Sequence, residues 1–216
     1  MRKPRCLAMV QLSLHPSRTR APQQDRAIRK VRKILRSAEK CYSTVGFEKT
    51  SMTHIAREAE VSTGTVYAYF ADKDDVLMKL LQQHVEEVLK PAEAYMAKLK
   101  GTEKLESVLK KLIACSADIH TRHPGLHRVF LSRMMKDANL QVMALQYRDR
   151  GCAIGRELVR RFGGPRTKKD PEAAAQVVVG LLEFCTHIGL LYPSTVDYKR
   201  ACRTGIDMIK SYFGVA

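Results

Sequence analysis

The chain has 216 residues, 45% of them hydrophobic, and a formal net charge of +16. That length and apolar content exclude an intrinsically disordered chain and allow one sizeable domain or two small ones with a proper core. The charge is uneven: residues 1–49 carry 13 Lys and Arg against 3 Asp and Glu, and residues 50–216 carry 25 against 19. A surface suited to phosphate is therefore expected towards the N-terminal end.

The six cysteines (Cys6, Cys41, Cys115, Cys152, Cys185 and Cys202) form no CxxC pair. This argues against a zinc finger or a disulfide framework and for reduced thiols in a cytoplasmic protein. The apolar stretch after the basic residues 2–5 is interrupted by Gln11 and Ser13, and no small-residue cleavage site follows. Residues 1–24 are accordingly expected to form a flexible basic arm.

The first predicted helix covers 25–44. Ile28, Val31, Leu35, Ala38, Tyr42 and Val45 recur at helical spacing, while Arg26, Arg29, Lys30, Lys33, Arg36 and Lys40 occupy the opposite face. Gly46 stands where a helix C-cap would, and Phe47 can fold back onto the core. A second helix is expected from Thr50 or Ser51 to Ala59, with Met52, Ile55, Ala56 and Ala59 inward. Residues 61–70, VSTGTVYAYF, then predict a short helix capped by Ser62 or Thr63 and anchored by Val66 and Phe70. Two short helices joined by so tight a turn form a helix-turn-helix, at about 51–70.

Read together, residues 34–77 resemble the DNA-binding domain of the TetR (tetracycline repressor) family of transcriptional regulators. The resemblance rests on the alanine-bearing first helix, Gly46-Phe47, Ile55-Ala56, the TxYxxF pattern from Thr65 to Phe70, and Lys73-Asp74, all in register. It departs at Glu60, where the family usually has Gly, a position that suits a left-handed backbone. The resemblance implies that Ser62, Thr63, Gly64 and Thr65 face base edges. It also implies that Tyr67, Tyr69 and Lys73 contact phosphates, helped by Thr50 and Thr53 at the start of the second helix. None of these is a long bidentate reader, so DNA shape and backbone contacts are expected to supply much of the specificity.

Asp72 can cap a long helix carrying Val76, Leu77, Leu80, Leu81, Val85, Val88 and Leu89, with a kink expected at Pro91. Directly behind the recognition helix, it would act as a lever. Further helices are predicted at 105–123, 126–136 and 140–162, followed by the breaker GGPRTKKDP at 163–171. The stretch 173–192 is apolar nearly all round and long enough to span a bilayer. Glu183 and His187 at its middle argue instead for a buried helix and against a membrane span. With a final helix carrying Tyr198, Cys202, Ile206, Ile209 and Phe213, the helix at 172–192 is expected to form a homodimer interface together with 198–213. Gly180 and Gly189 would admit a neighbouring helix.

The predicted architecture is all-α, with about nine helices: the arm 1–24, a DNA-binding domain 25–71 and a regulatory and dimerisation domain 72–216. No Gly-rich phosphate loop, Ser/His/Asp set or pair of buried carboxylates can be argued, so no enzyme is expected. His120, His123 and His127 are spaced by 3 and 4, but Pro124 and Gly125 break the helix that would align them. They are expected as helix-end histidines, with no metal and no cofactor. Tyr95, Met134, Met135, Met143, Tyr147 and His187 are candidates to line a ligand cavity. The expected function is a dimeric regulator, a repressor released from a double-stranded, palindromic DNA operator by an unknown small-molecule effector. The ligand step is what the resemblance implies. The alternatives are a non-specific architectural DNA-binding protein and an enzyme with a helix-turn-helix head.

Overall fold

The computed structural model describes residues 21–134, 136–188, 190 and 194–215. Most of the expected basic arm, the candidate Met135, Gly189 and the predicted helix end at Tyr192 lie outside these residues. Among the described residues the regular elements are α-helices: α1 (Ala21–Thr44), α2 (Met52–Glu58), α3 (Thr63–Tyr67), α4 (Lys73–Ala97), α5 (Leu105–Arg122), α6 (Pro124–Met134), α7 (Ala138–Phe162), α8 (Pro171–His187) and α9 (Tyr198–Phe213).

Their starts follow local chemistry. Ser51, Ser62, Asp72, Asp137, Asp170 and Asp197 each stand before a helix and accept a hydrogen bond from a first-turn backbone N–H. At α4 the cap is reciprocal: Asp75 N–H donates to Asp72 Oδ1 at 2.8 Å, and Asp75 Oδ2 accepts from Ala71 N–H at 3.0 Å. Gly46 has φ +91°, as a helix-ending glycine requires.

Three expectations are corrected. Val45, predicted on the buried stripe, is half exposed because α1 ends one residue earlier, at Thr44. Ile28 at the other end is also exposed, nearly two turns before Ile34, the first fully buried residue of α1. Pro91, where a kink is expected, stands on an exposed position inside α4, which runs on to Ala97. Helix α8 ends at His187, where Ile188 turns extended; apolar character alone does not prolong a helix against the Gly189 and Pro193 that follow.

Two apolar clusters divide the interior. The first joins α1, α2, α3 and the start of α4 to Leu126 of α6 and Leu140 and Met143 of α7. The second joins the end of α4 to α5, the end of α7, α8 and α9. The helix-turn-helix head thus shares its core with α4, α6 and α7. The buried His84 of α4 falls in sequence between Leu81 in the first cluster and Ala92 in the second. No helix among the described residues is long and apolar enough to cross a membrane.

Candidate nucleic-acid interface

The turn between α2 and α3 is held by backbone bonds, Glu60 N–H to Arg57 O at 3.1 Å and Val61 N–H to Ala56 O at 3.0 Å. Beneath it Ile55, Ala56, Ala59 and Val66 are buried. Glu60 has φ +49°, the one non-glycine residue with positive φ among those described. The family's glycine position is therefore left-handed here too, and the side chain is held across to α1 by an ion pair with Lys33 at 2.7 Å. Glu58 pairs in the same way with Lys40 at 2.6 Å. Both acidic groups of the turn are thus turned towards the basic first helix.

The hydroxyls at the start of α3 form a unit. Ser62 Oγ accepts from Thr65 N–H at 3.1 Å and lies 2.8 Å from Thr65 Oγ1. Outward from this cap Ser62 and Gly64 are exposed, with Thr63 and Thr65 half-buried. Tyr67 is 56% exposed and Tyr69 37% exposed, while Val66 and Phe70 anchor the helix beneath. An added Cβ at Gly64 would meet only Ser62 Oγ, at 3.9 Å, so nothing inside the protein requires glycine there.

The second-helix residues divide. Thr53 is exposed. Thr50 is buried, and its hydroxyl donates to Gly46 O at 2.8 Å, so its side chain is spent on closing the turn after α1. Lys73 is also engaged: Nζ donates to Phe47 O and Glu48 O, both at 3.1 Å, and sits 4.6 Å from the centroid of the Phe47 ring. Two of its three N–H donors thereby brace the α1–α2 connection against the start of α4. Tyr42 completes the brace, donating its hydroxyl to Lys73 O at 2.8 Å; burial pushes its phenol well above the ordinary range and keeps that donor protonated.

The candidate ligand residues do not converge. Tyr147 lines a cavity of about 70 Å³ between α4, α5, α7 and α8, alongside Ser116, Glu183 and Thr186. Burial raises the pKa of both Tyr147 and Glu183, favouring their neutral forms. Tyr95 packs against the second core, Met143 belongs to the first, and Met134 is half-buried on α6. His187 faces His120, with Nε2 atoms 3.2 Å apart.

The histidines are the feature that reading along the chain missed. Pro124 and Gly125 do break the helix, but α6 restarts at Pro124, only two residues after α5 ends. Instead of keeping the histidines apart, the break brings His127 to 4.3 Å from His120, centroid to centroid. His123 points elsewhere, to Glu39 of α1.

A helix-turn-helix with buried anchors and an outward face of hydroxyls and tyrosines, set before a helical body, defines a DNA-binding transcriptional regulator. Residues 34–80 match the family described as bacterial regulatory proteins, tetR family. The HTH-type transcriptional regulator HbdR of Aromatoleum sp. (strain CIB) is 49% identical over 49 residues, 23% of this chain and 21% of that protein. The chain thus matches about a fifth of the length of that relative. An uncharacterised HTH-type transcriptional regulator of Mycobacterium tuberculosis is 26% identical over 154 residues, 68% of this chain and 75% of its own. The crystal structure of a transcriptional regulator from Rhodococcus sp. Rha1 shares the fold, with a TM-score of 0.70 at 16% identity, covering 86% of this chain and 98% of that one. Residues 34–80 thus carry the DNA-binding domain of the TetR family of transcriptional regulators.

Proposed function

We propose that the chain acts as a homodimeric repressor that reads a near-palindromic operator through α3 and is released from it by a small effector. The observation that carries the DNA-reading part is the outward face of α3: a glycine that the fold does not need, capped hydroxyls and two exposed tyrosines. Gly64 admits the close approach of a nucleic-acid backbone, and Ser62, Thr63 and Thr65 offer donors, acceptors and methyl groups to base edges. Tyr67, Tyr69 and Thr53 contact phosphate. Lys73 lends its remaining donor, and Thr50 acts indirectly by fixing the turn before α2.

Dimerisation is supported by the outer surface of α8 and α9. Val177 is 67% exposed and Phe184 56%, two turns apart on one helical face, and an added Cβ at Gly180 between them would meet nothing within 4 Å. Met208, Tyr212 and Val215 continue the stripe along and just past α9. Apolar side chains so spaced suit a second copy of the same surface across a two-fold axis. Two copies of α3 would then meet half-sites about 34–36 Å apart.

Capture of genomic fragments by the purified chain, repeated with candidate effectors, tests this function. Enrichment of a few fragments carrying a shared inverted repeat, lost on addition of one effector, is the expected result. Uniform recovery of the genome contradicts it and favours a non-specific architectural protein.

A further inference from the structure

Four histidines from four helices meet: His84 of α4, His120 of α5, His127 of α6 and His187, the last residue of α8. One ring nitrogen from each of His84, His120 and His127 lies within 4.8 Å of the others. His187 Nε2 is 3.2 Å from His120 Nε2, and its ring centroid is 4.7 Å from that of His127. We propose that this cluster binds one divalent transition-metal ion of the imidazole-preferring class, such as zinc, cobalt or nickel, and that the regulator's DNA affinity responds to its occupation. The second half rests on the function proposed above.

The tautomer of His120 suits a ligand. Its Nδ1 lies 2.7 Å from Ser116 O, and a carbonyl can only accept. Nδ1 therefore carries the proton and Nε2 presents a lone pair to the cluster. A backbone carbonyl on the far ring nitrogen is how metal-bound imidazoles are commonly oriented. The spacing also fits. Zinc–nitrogen bonds of about 2.0–2.1 Å in a tetrahedron put neighbouring nitrogens about 3.3–3.4 Å apart, close to the separation of His120 and His187. The nitrogens of His84 and His127 lie farther out, within 4.8 Å of the others, and a bound ion would draw them inward.

The burial of His84 and His127 makes a purely structural role costly. They are 9% and 8% exposed, and none of their four ring nitrogens has a hydrogen-bond partner in the protein. Groups so buried are ordinarily satisfied, and coordination would satisfy them. Burial also holds His84 near pKa 3, His127 near 2 and His187 near 4, so the rings are neutral, as ligation requires. The nearby charges are already engaged: Arg122 with Asp118 and Glu87, and His123 with Glu39. An all-imidazole set selects zinc, copper, nickel or cobalt over magnesium or calcium.

The position links the site to the head. His84 sits on the helix that begins just after α3, and α6 lies so close to α1 that a Cβ at Gly125 would fall 2.4 Å from Ser43 Cβ. An ion drawing α4, α5, α6 and α8 to fixed separations favours whichever head orientation allows those separations. It acts only through that difference in affinity.

The test uses the full chain without a histidine tag, stripped with chelator and titrated with zinc chloride by calorimetry and with cobalt chloride by visible absorption. The variants are His120→Gln and His127→Leu; the second replaces an unpartnered buried ring by an apolar side chain, so its fold is expected to persist. One ion per chain is expected, with cobalt d–d bands, and affinity should fall by at least about tenfold in each variant. Zinc should change affinity for a captured DNA fragment by about fivefold or more, with no change in His127→Leu. No stoichiometric binding, or equal binding by a folded His127→Leu protein, overturns the site. Zinc binding without any change in DNA affinity overturns the response. A chain that binds no DNA fragment either with or without zinc overturns the proposed function and the response with it, while the titration still decides the site.

Discussion

Lys33 Nζ of α1 lies 2.7 Å from Glu60 Oε2, across from a residue held at φ +49° in the turn of the helix-turn-helix. The pair ties the basic helix to the strained point of the turn. Hydrogen bonding from Lys33 lowers the Glu60 pKa, so the carboxylate remains ionised and the tie persists at ordinary pH.

Replacing Glu60 by glycine removes the left-handed strain but also removes the ion pair and loosens the unfolded chain. The opposing effects leave the thermal midpoint within about 2 °C of the parent. Glu60→Val keeps the strain and adds a β-branch in a left-handed position, so its midpoint falls by several degrees. Circular-dichroism melts of the two variants side by side check both outcomes.

Gly64 separates folding from DNA binding. Gly64→Ala has room in the fold and gains helix propensity, so stability is unchanged or raised by up to about 1 kcal/mol. DNA affinity falls by about tenfold or more because the backbone can no longer approach the helix as closely. Denaturant titration and fluorescence anisotropy on one preparation read the two effects separately.

Tyr67 and Thr65 should differ in kind. Removing the Tyr67 hydroxyl, as Tyr67→Phe, weakens binding to operator and random DNA alike, whereas Thr65→Val changes the order of preference among operator variants. Competition binding against a panel of single-base variants distinguishes a uniform loss from a reordered one.

Much of this head could be read from the chain because its signals are local. Ser51 and Ser62 cap helices within three residues of themselves, and Gly46 and Glu60 mark left-handed turns by position alone. The engagement of Thr50 and Lys73 was not legible in that way. Lys73 is bound to backbone carbonyls chosen by tertiary packing, 25 or 26 residues away, and Thr50, although its partner Gly46 O is only four residues back, is withdrawn from the surface by burial that the local sequence does not mark. The histidine cluster was hidden because His84 and His187 are each far in sequence from His120 and His127, and a break at Pro124 looks like separation although the His120 and His127 rings meet across it. The end of α8 was missed because apolar composition predicts burial more securely than it predicts where a helix stops.

The same cluster should shape stability against pH. His84, His127 and His187 have folded pKa values of about 3, 2 and 4 against an ordinary 6.5, with burial the largest cause and neighbouring histidines next. Above pH 6.5 they are neutral in both states. Below it the unfolded chain takes up protons that the folded chain refuses, so metal-free stability falls as pH falls. Thermal midpoints measured from pH 7.5 to 5 should drop steadily. The drop should be shallower in His127→Leu, and the window lies above the range in which most carboxylates titrate.

Phe184→Glu sets a charge in the middle of the exposed stripe on α8. The variant is expected to sediment as a monomer at micromolar concentration where the parent is a dimer. Its affinity for a two-half-site fragment should fall towards that for a single half-site. A variant that remains dimeric would remove α8 from the interface.

The most direct measurement is the dissociation constant of the full chain for a captured genomic fragment against random DNA of equal length, at one fixed salt concentration, with Gly64→Ala in parallel. A preference of at least about 10³-fold, reduced in Gly64→Ala, is expected of a regulator that reads DNA through α3. Equal affinity for the two DNAs, or an unchanged preference in Gly64→Ala, would contradict it.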